Sequence, residues 1–223
     1  MWEEIRMKAS VIILSHNQKE MMQACLSSLS RQRLDEGDQF EVVVIDNGSI
    51  DGTGEMISGL MYDFPIRYKY IPATAQLSRA AARNKGITTT NGDVVVFLDG
   101  DQLAGPEFIY EHLRVHKLAE GKLVVGFRRY LAEESMEMTQ FNPGWEHAAV
   151  ASSEADERFQ LMEHFSENGS VFRTAWHLSF SCNFSANREA VIRSGMFDEG
   201  FRGWGWKTVN LAIVYSKMEE VSY

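Results

Sequence analysis

The sequence predicts an α/β fold built on an open, mainly parallel central sheet flanked by helices. Three observations predict it. Short β-branched runs recur, stretches with helical apolar spacing alternate with them, and the densest polar clusters fall directly after the runs instead of within them. Alternation of this kind is what strand–helix–strand crossovers between parallel strands require, because a parallel pair cannot be joined by a tight hairpin.

The strand runs lie at 11–14, 42–45, 66–71, 94–98 and 123–126, each four to six residues long, apolar or β-branched, and bounded by polar or turn-forming residues. Helical spacing occupies the intervals at 18–31, 54–62, 77–88 and 106–120. From 128 to about 172 the pattern loosens into acidic, Met-rich and aromatic segments, expected to cover the sheet and to hold one helix over 155–167. A strand-like run at 177–185 leads to a short helix at 187–194, and a last helix is expected over 208–218. No internal repeat or low-complexity linker divides the chain. With 223 residues, 44% of them hydrophobic, it can bury one substantial core and is read as a single unit.

A formal net charge of -9 excludes a nucleic-acid surface, which would need clustered Lys and Arg to neutralise phosphates. Cys25 and Cys182 stand far apart and in no metal or redox spacing, so both are expected to be buried thiols. The sequence has no apolar run of roughly 18 residues and no signal-peptide pattern at its start, which points to no transmembrane segment and a cytoplasmic location. Peripheral contact with the cytoplasmic face of the membrane stays open.

In open α/β sheets, ligands bind beyond the carboxyl ends of the strands, where loops and helix N-termini leave unpaired backbone donors. The first strand is followed by Ser15-His16-Asn17, the second by Asp46-Asn47-Gly48-Ser49-Ile50-Asp51-Gly52-Thr53, and the fourth by Asp99-Gly100-Asp101. The second cluster also reads as a turn and helix cap, since Asn-Gly and Asp-Gly are turn dipeptides and Asp suits an N-cap. Asp99 and Asp101 repel each other unless a cation or hydrogen-bond donors offset their charge. With Gly100 permitting a bend, both could aim oxygens at one hard divalent ion, Mg²⁺ or Mn²⁺. Two solvated acids in a turn are the alternative. His112 and His116, four apart on an expected helix, lack a third ligand nearby and are read as a solvated helix face.

Six segments in order resemble the family 2 glycosyltransferases with the GT-A fold of nucleotide-diphospho-sugar transferases. They are Ser10-Val-Ile-Ile-Leu-Ser-His-Asn17, Val44-Ile-Asp-Asn-Gly-Ser-Ile-Asp-Gly-Thr53, Ala82-Arg-Asn-Lys-Gly86, Val96-Phe-Leu-Asp-Gly-Asp101, Asn183-Phe-Ser-Ala-Asn-Arg-Glu189 and Gly195-Met-Phe-Asp-Glu-Gly-Phe-Arg-Gly-Trp-Gly-Trp206. The resemblance implies a nucleotide-sugar-binding half over about 1–127 and an acceptor-side half over about 128–223, with a C-terminus shorter than in many members. It implies donor binding by Ser15, His16, Asn17, Asp46, Asn47, Arg83, Asp99, Gly100 and Asp101. Asp46 would accept from a uracil imide, and Asp101, with Asp99, would hold Mn²⁺ or Mg²⁺ against the diphosphate. Asn183, Trp204, Gly205, Trp206 and Lys207 would face a glycan or other hydroxyl acceptor. The implied reaction is inverting transfer from a nucleotide sugar, UDP-linked by expectation.

One departure bears on catalysis. After the Gly-Trp-Gly stretch the family usually places Glu-Asp, one of them the proposed base, whereas this chain has Lys207 and Thr208. Asp198 and Glu199 are the nearby acids left as substitutes. A nucleotide-sugar binding protein impaired in transfer is therefore the alternative reading.

Overall fold

The computed structural model describes residues 5–75, 77–118, 123–130, 154–155 and 182–200. Strands β1 (Lys8–Ser15), β2 (Gln39–Asp46), β3 (Ile66–Tyr70) and β4 (Val94–Asp99) alternate with helices α1 (Lys19–Leu29), α2 (Thr53–Gly59) and α3 (Arg79–Thr89). Helix α4 (Phe108–Leu118) follows, then β5 (Val124–Val125), β6 (Arg129–Tyr130), β7 (Glu154–Ala155), β8 (Asn183–Asn187) and α5 (Arg188–Arg193). The main sheet runs β3-β2-β1-β4-β8-β5, while β6 and β7 form a separate two-stranded ribbon. β1 pairs in parallel with both β2 and β4, β2 pairs in parallel with β3, and β8 is antiparallel to β4 and β5.

Every expected element up to residue 126 is present with ends shifted by at most three residues, because continuous β-branched runs and amphipathic spacing carry a strong local signal. The later region departs from expectation. Ala155, the expected start of a helix, lies in β7, and β8 is seen over Asn183–Asn187; residues 156–167 of the expected helix and 177–181 of the expected strand lie outside the described residues. Asn187 then caps α5, its side-chain oxygen accepting from Ala190 N at 2.9 Å. The helix expected over 208–218 lies outside the described residues.

The sheet is covered on both faces. Met22, Cys25, Leu26 and Leu29 of α1, Ile57 of α2, and Ile109 and Leu113 of α4 pack with Val11, Ile13, Val42, Val44 and Val96 on one face. On the other, Ala80 and Ile87 of α3 and Val191 of α5 pack with Ile12, Val95, Phe97 and Phe184. Phe97 stacks on Phe184 at 4.6 Å between centroids and meets Phe197 edge-on at 5.3 Å, which binds the antiparallel strand into the core. The amino end of the sheet is tied by Glu41, buried among Lys8, Arg67, Ser10 Oγ at 2.7 Å and Asn91 N at 3.1 Å. Burial alone would raise its carboxyl, but Ser10, Asn91 N and Arg67 together hold it below its ordinary value.

The order of the strands makes a crevice. From β1 the chain crosses by α1 to β2 on one side, and from β3 it returns by α3 to β4 on the other. The carboxyl ends of β1 and β4 are therefore a topological switch point, where neighbouring loops diverge.

Candidate active site

Two loops are laced together at this edge. Asn47 N donates to Ser15 O at 2.9 Å, Asn17 N to Ser49 Oγ at 2.9 Å, and Ile50 N to Asn17 Oδ1 at 2.8 Å. His16 Nδ1 lies 3.1 Å from Asn47 O, with the His16 ring exposed. Asp51 accepts from Lys19 N at 2.9 Å and from Thr53 N and Oγ1 at 3.1 and 2.6 Å, so it serves the first turns of both α1 and α2. Turn, cap and loop scaffold are thus combined in one stretch.

Register decides where the acids point. Ser15 pairs with Asp46, but it is Leu14 that pairs with Asp99. Adjacent residues of a strand face opposite sides of the sheet, so Asp46 and Asp99 do too. Asp46 is fully buried on the α1/α2 side, where its oxygens accept from Ser49 N at 2.8 Å and Tyr68 Oη at 2.6 Å. The resemblance implies donor binding by both Asp46 and Asp99; the register turns their carboxylates to opposite sides of the sheet, and Asp46 organises the 47–53 loop from below. Ser15 is likewise buried, and its hydroxyl has no hydrogen-bond partner among the described residues. Asn47, one residue on, points to the α3 side and clasps the backbone of Leu77, accepting from its N at 2.9 Å and donating to its O at 2.8 Å.

Asp99 faces α3. Its carboxylate lies 3.7 Å from the guanidinium of Arg83, which is itself only 6% exposed and sits 5.7 Å from the centroid of the Phe197 ring. Burial raises the Asp99 carboxyl above its ordinary value, Arg83 opposes the rise, and Asp101 adds to it. Burial lowers Arg83, while Asp99 pulls it up. Asp101 is exposed and accepts no hydrogen bond among the described residues. Gly100 between them is closely packed: a β-carbon there would stand 2.7 Å from Gln18 Nε2 and from Met22 Cε, and 3.1 Å from Leu14 O, so the two side chains would have to shift.

The donor set suits a hard divalent cation. Two carboxylates that repel each other across one residue, neither accepting a hydrogen bond among the described residues, gain from sharing a positive charge. No group of three His, Cys, Asp or Glu forms a cage among the described residues, so an ion there would complete its shell with water and ligand oxygens, as suits Mg²⁺ or Mn²⁺.

Asp198 and Glu199 border an open cavity of about 490 Å³ with Asn84 and the 194–197 segment. Glu199 accepts from Asn84 Nδ2 at 2.9 Å and Asp198 from Gly200 N at 2.8 Å; neither contacts Asp99 or Asp101. Trp204, Gly205, Trp206, Lys207 and Thr208 lie outside the described residues.

His112 and His116 correct the expectation of a solvated face. They are 3% and 6% exposed, because α4 packs on β8 and Ser185 stands between them. Sequence reading also missed two cations. Arg79 and Arg128 both act electrostatically on Asp99. Arg79 precedes Arg83 by one helical turn and was findable from that spacing; Arg128 gave no local signal, lying beyond the last regular strand run.

The same architecture is found in solved structures. The mannosyltransferase PcManGT from Pyrobaculum calidifontis, in complex with GDP-Man and Mn²⁺, superposes with a TM-score of 0.61 at 18% identity, covering 96% of this chain and 53% of that one. S. aureus TarS 1-349 with UDP-GlcNAc gives 0.64 at 14% identity, covering 92% and 53%. The fold is that of the GT-A glycosyltransferases. The profile of Glycosyl transferase family 2 matches residues 10–192, and the chain belongs to that family. It is 29% identical to the uncharacterized glycosyltransferase YfnE of Bacillus subtilis over 93% of this chain and 60% of that protein. With validoxylamine A glucosyltransferase of Streptomyces hygroscopicus subsp. limoneus it shares 30% identity over 91% of this chain and 46% of the relative. The chain therefore spans roughly half the length of the curated relatives it matches.

Proposed function

We propose that this chain transfers a sugar, with inversion, from a nucleoside-diphosphate sugar to a saccharide or other hydroxyl acceptor. The observation that carries the reading is the Asp99-Gly100-Asp101 turn at the switch point, with the buried Arg83 guanidinium 3.7 Å from Asp99. A UDP-sugar is the expected donor, and Asp101 with Asp99 would hold Mn²⁺ or Mg²⁺. Such an ion supplies charge stabilisation for the departing nucleoside diphosphate. Arg83 contributes to the same end as a cation held in place before the reaction, so that little reorganisation is needed as charge develops. The exposed His16 and Asn17 would border the nucleoside. Structural neighbours in complex with GDP-Man or UDP-GlcNAc, and a relative named as a glucosyltransferase, support the donor class. No helix among the described residues is long and apolar enough to cross a membrane; a cytoplasmic site of action, in solution or at the membrane face, is part of the proposal.

A second reading, donor binding without efficient transfer, draws support from Lys207 and Thr208 in place of Glu-Asp and from the engagement of Asp198 and Glu199 in local contacts. Calorimetry with UDP, GDP and their sugars, with and without Mn²⁺, tests the common core of both. Asp101→Ala should abolish the metal-linked part of the affinity, and equal affinity in the variant would sink the metal assignment. Product release from a panel of donors and acceptors separates transfer from mere binding.

A further inference from the structure

On the α4 face of β8, five groups form one polar chain, buried at Ser185, His112 and His116 and reaching the surface at Phe127. Asn183 Nδ2 donates to Phe127 O at 3.0 Å, which turns Asn183 Oδ1 toward His112 Nε2 at 2.9 Å. His112 must then carry its proton on Nε2 and accept at Nδ1, 2.8 Å from Ser185 Oγ. Ser185, having donated to His112, accepts from His116 Nε2 at 2.9 Å. With both rings neutral, the direction of every bond follows from the first.

What the chain terminates on is the segment that leads away from the sheet. Asn183 pairs with Leu98, the residue before Asp99, so it stands beside the end of β4. Its backbone O accepts from Gly126 N at 3.0 Å, and its amide fills the space over Gly126 so closely that a β-carbon there would lie 2.3 Å from Asn183 Oδ1. Gly126 and Phe127 are thus fixed from two sides. The next residue is Arg128. Its guanidinium lies 5.0 Å from the centroid of the Tyr130 ring, donates to Tyr130 Oη at 2.7 Å and to Cys182 Sγ at 3.4 Å, and reaches Asp99 electrostatically.

We propose that His112 is a positioning residue for the donor site: through the Asn183 amide it sets the Gly126–Arg128 segment, so that the Arg128 guanidinium, held against Cys182 next to the end of β4, serves as a further cation for the donor's diphosphate. This rests on the nucleotide-sugar reading above. A guanidinium fixed by an aromatic ring and a thiol has little freedom left to lose on binding an anion, which is why the orientation of its backbone matters. His112 itself touches neither Asp99 nor Asp101; its effect passes through Asn183.

The test is nucleoside diphosphate binding by calorimetry, using UDP, GDP and dTDP with Mn²⁺, on four variants with secondary structure checked by circular dichroism. Arg128→Gln should weaken the best ligand at least about tenfold, as expected for loss of a charge-assisted contact. His112→Leu should weaken it about fivefold or more, and the double variant should fall within about twofold of Arg128→Gln alone, because both changes remove the same contact. His112→Gln, whose amide can still donate to Asn183, should stay within about threefold of wild type, while His112→Asn, too short to reach, should not. Additive losses, a full-affinity Arg128→Gln, or equal behaviour of the Gln and Asn variants would overturn the inference while leaving the donor reading intact. Should His112→Leu fail to fold, the Gln–Asn comparison decides. A wild-type protein that binds none of the three nucleotides overturns both.

Discussion

At the scale of single residues, the most informative position is Asp46. Local sequence places it at a strand end among turn residues, which is where a ligand-binding acid and a loop-organising acid look alike. Its burial and its two hydrogen bonds show it holding the loop. Tyr68 is the partner that makes this tolerable: burial, and then the Asp46 bond and charge, hold its phenol above the ordinary pKa, so it stays a donor at any physiological pH. Tyr68→Phe removes that donor and leaves a buried carboxylate short of a partner, at an expected cost of about 1–3 kcal/mol. Urea unfolding measures it, and a cost under about 0.5 kcal/mol would show that Asp46 does not depend on the tyrosine. The same variant should disturb nucleotide affinity less than Asp101→Ala does, since Tyr68 acts only on the loop beneath the site.

At the scale of elements, α4 and β8 are joined by an interface that is polar at its centre. Burial pushes both His112 and His116 down to about 4 from their ordinary value of 6.5, Asn183 partly opposing the shift at His112 and the neighbouring ring adding to it at His116. The unfolded chain takes up protons near pH 6.5 that the native state refuses until about pH 4. Stability is therefore complete above about pH 6.5 and falls as the pH drops through that window, by up to about 1.4 kcal/mol per pH unit for each ring. Denaturant midpoints between pH 7.5 and 4.5 should trace this slope, and His116→Gln should reduce it. A flat profile would mean that the rings are not kept neutral by the fold. Glu41 acts in the next, more acidic window and with the same sign: its lowered carboxyl adds stability that is lost only as the pH falls below the ordinary glutamate range.

At the scale of the whole molecule, the parallel half and the antiparallel strand behave as one body because Phe97, Phe184 and Phe197 interlock across β4, β8 and the loop after α5. Phe184→Ala should cost about 3–5 kcal/mol, a large part of the ~5–15 kcal/mol that holds a domain folded. It should lower the urea midpoint without changing the slope if the two parts unfold together, and split the transition if they do not. Much of this architecture was legible in advance: the four parallel strands, the helices between them, the polar clusters at the carboxyl edge and the paired acids around Gly100 are local patterns, each set by the composition of a short stretch. Family membership rests on the same local patterns taken in order. Other features were not legible. The opposite facing of Asp46 and Asp99 depends on a one-residue offset in the pairing of β1 with its two neighbours, and pairing register is a relation between distant segments. The burial of His112 and His116 depends on Ser185 arriving from β8, and the anchoring of the segment just before Arg128 depends on an asparagine 55 residues beyond that arginine. Sequence by itself determined which elements form and which chemical groups stand at their ends, since propensity, periodicity and turn chemistry act over a few residues. Which of those groups share a face, and which are spent on holding one another, only the tertiary structure decided, because side-chain direction and hydrogen-bond satisfaction are settled by neighbours that no local stretch contains.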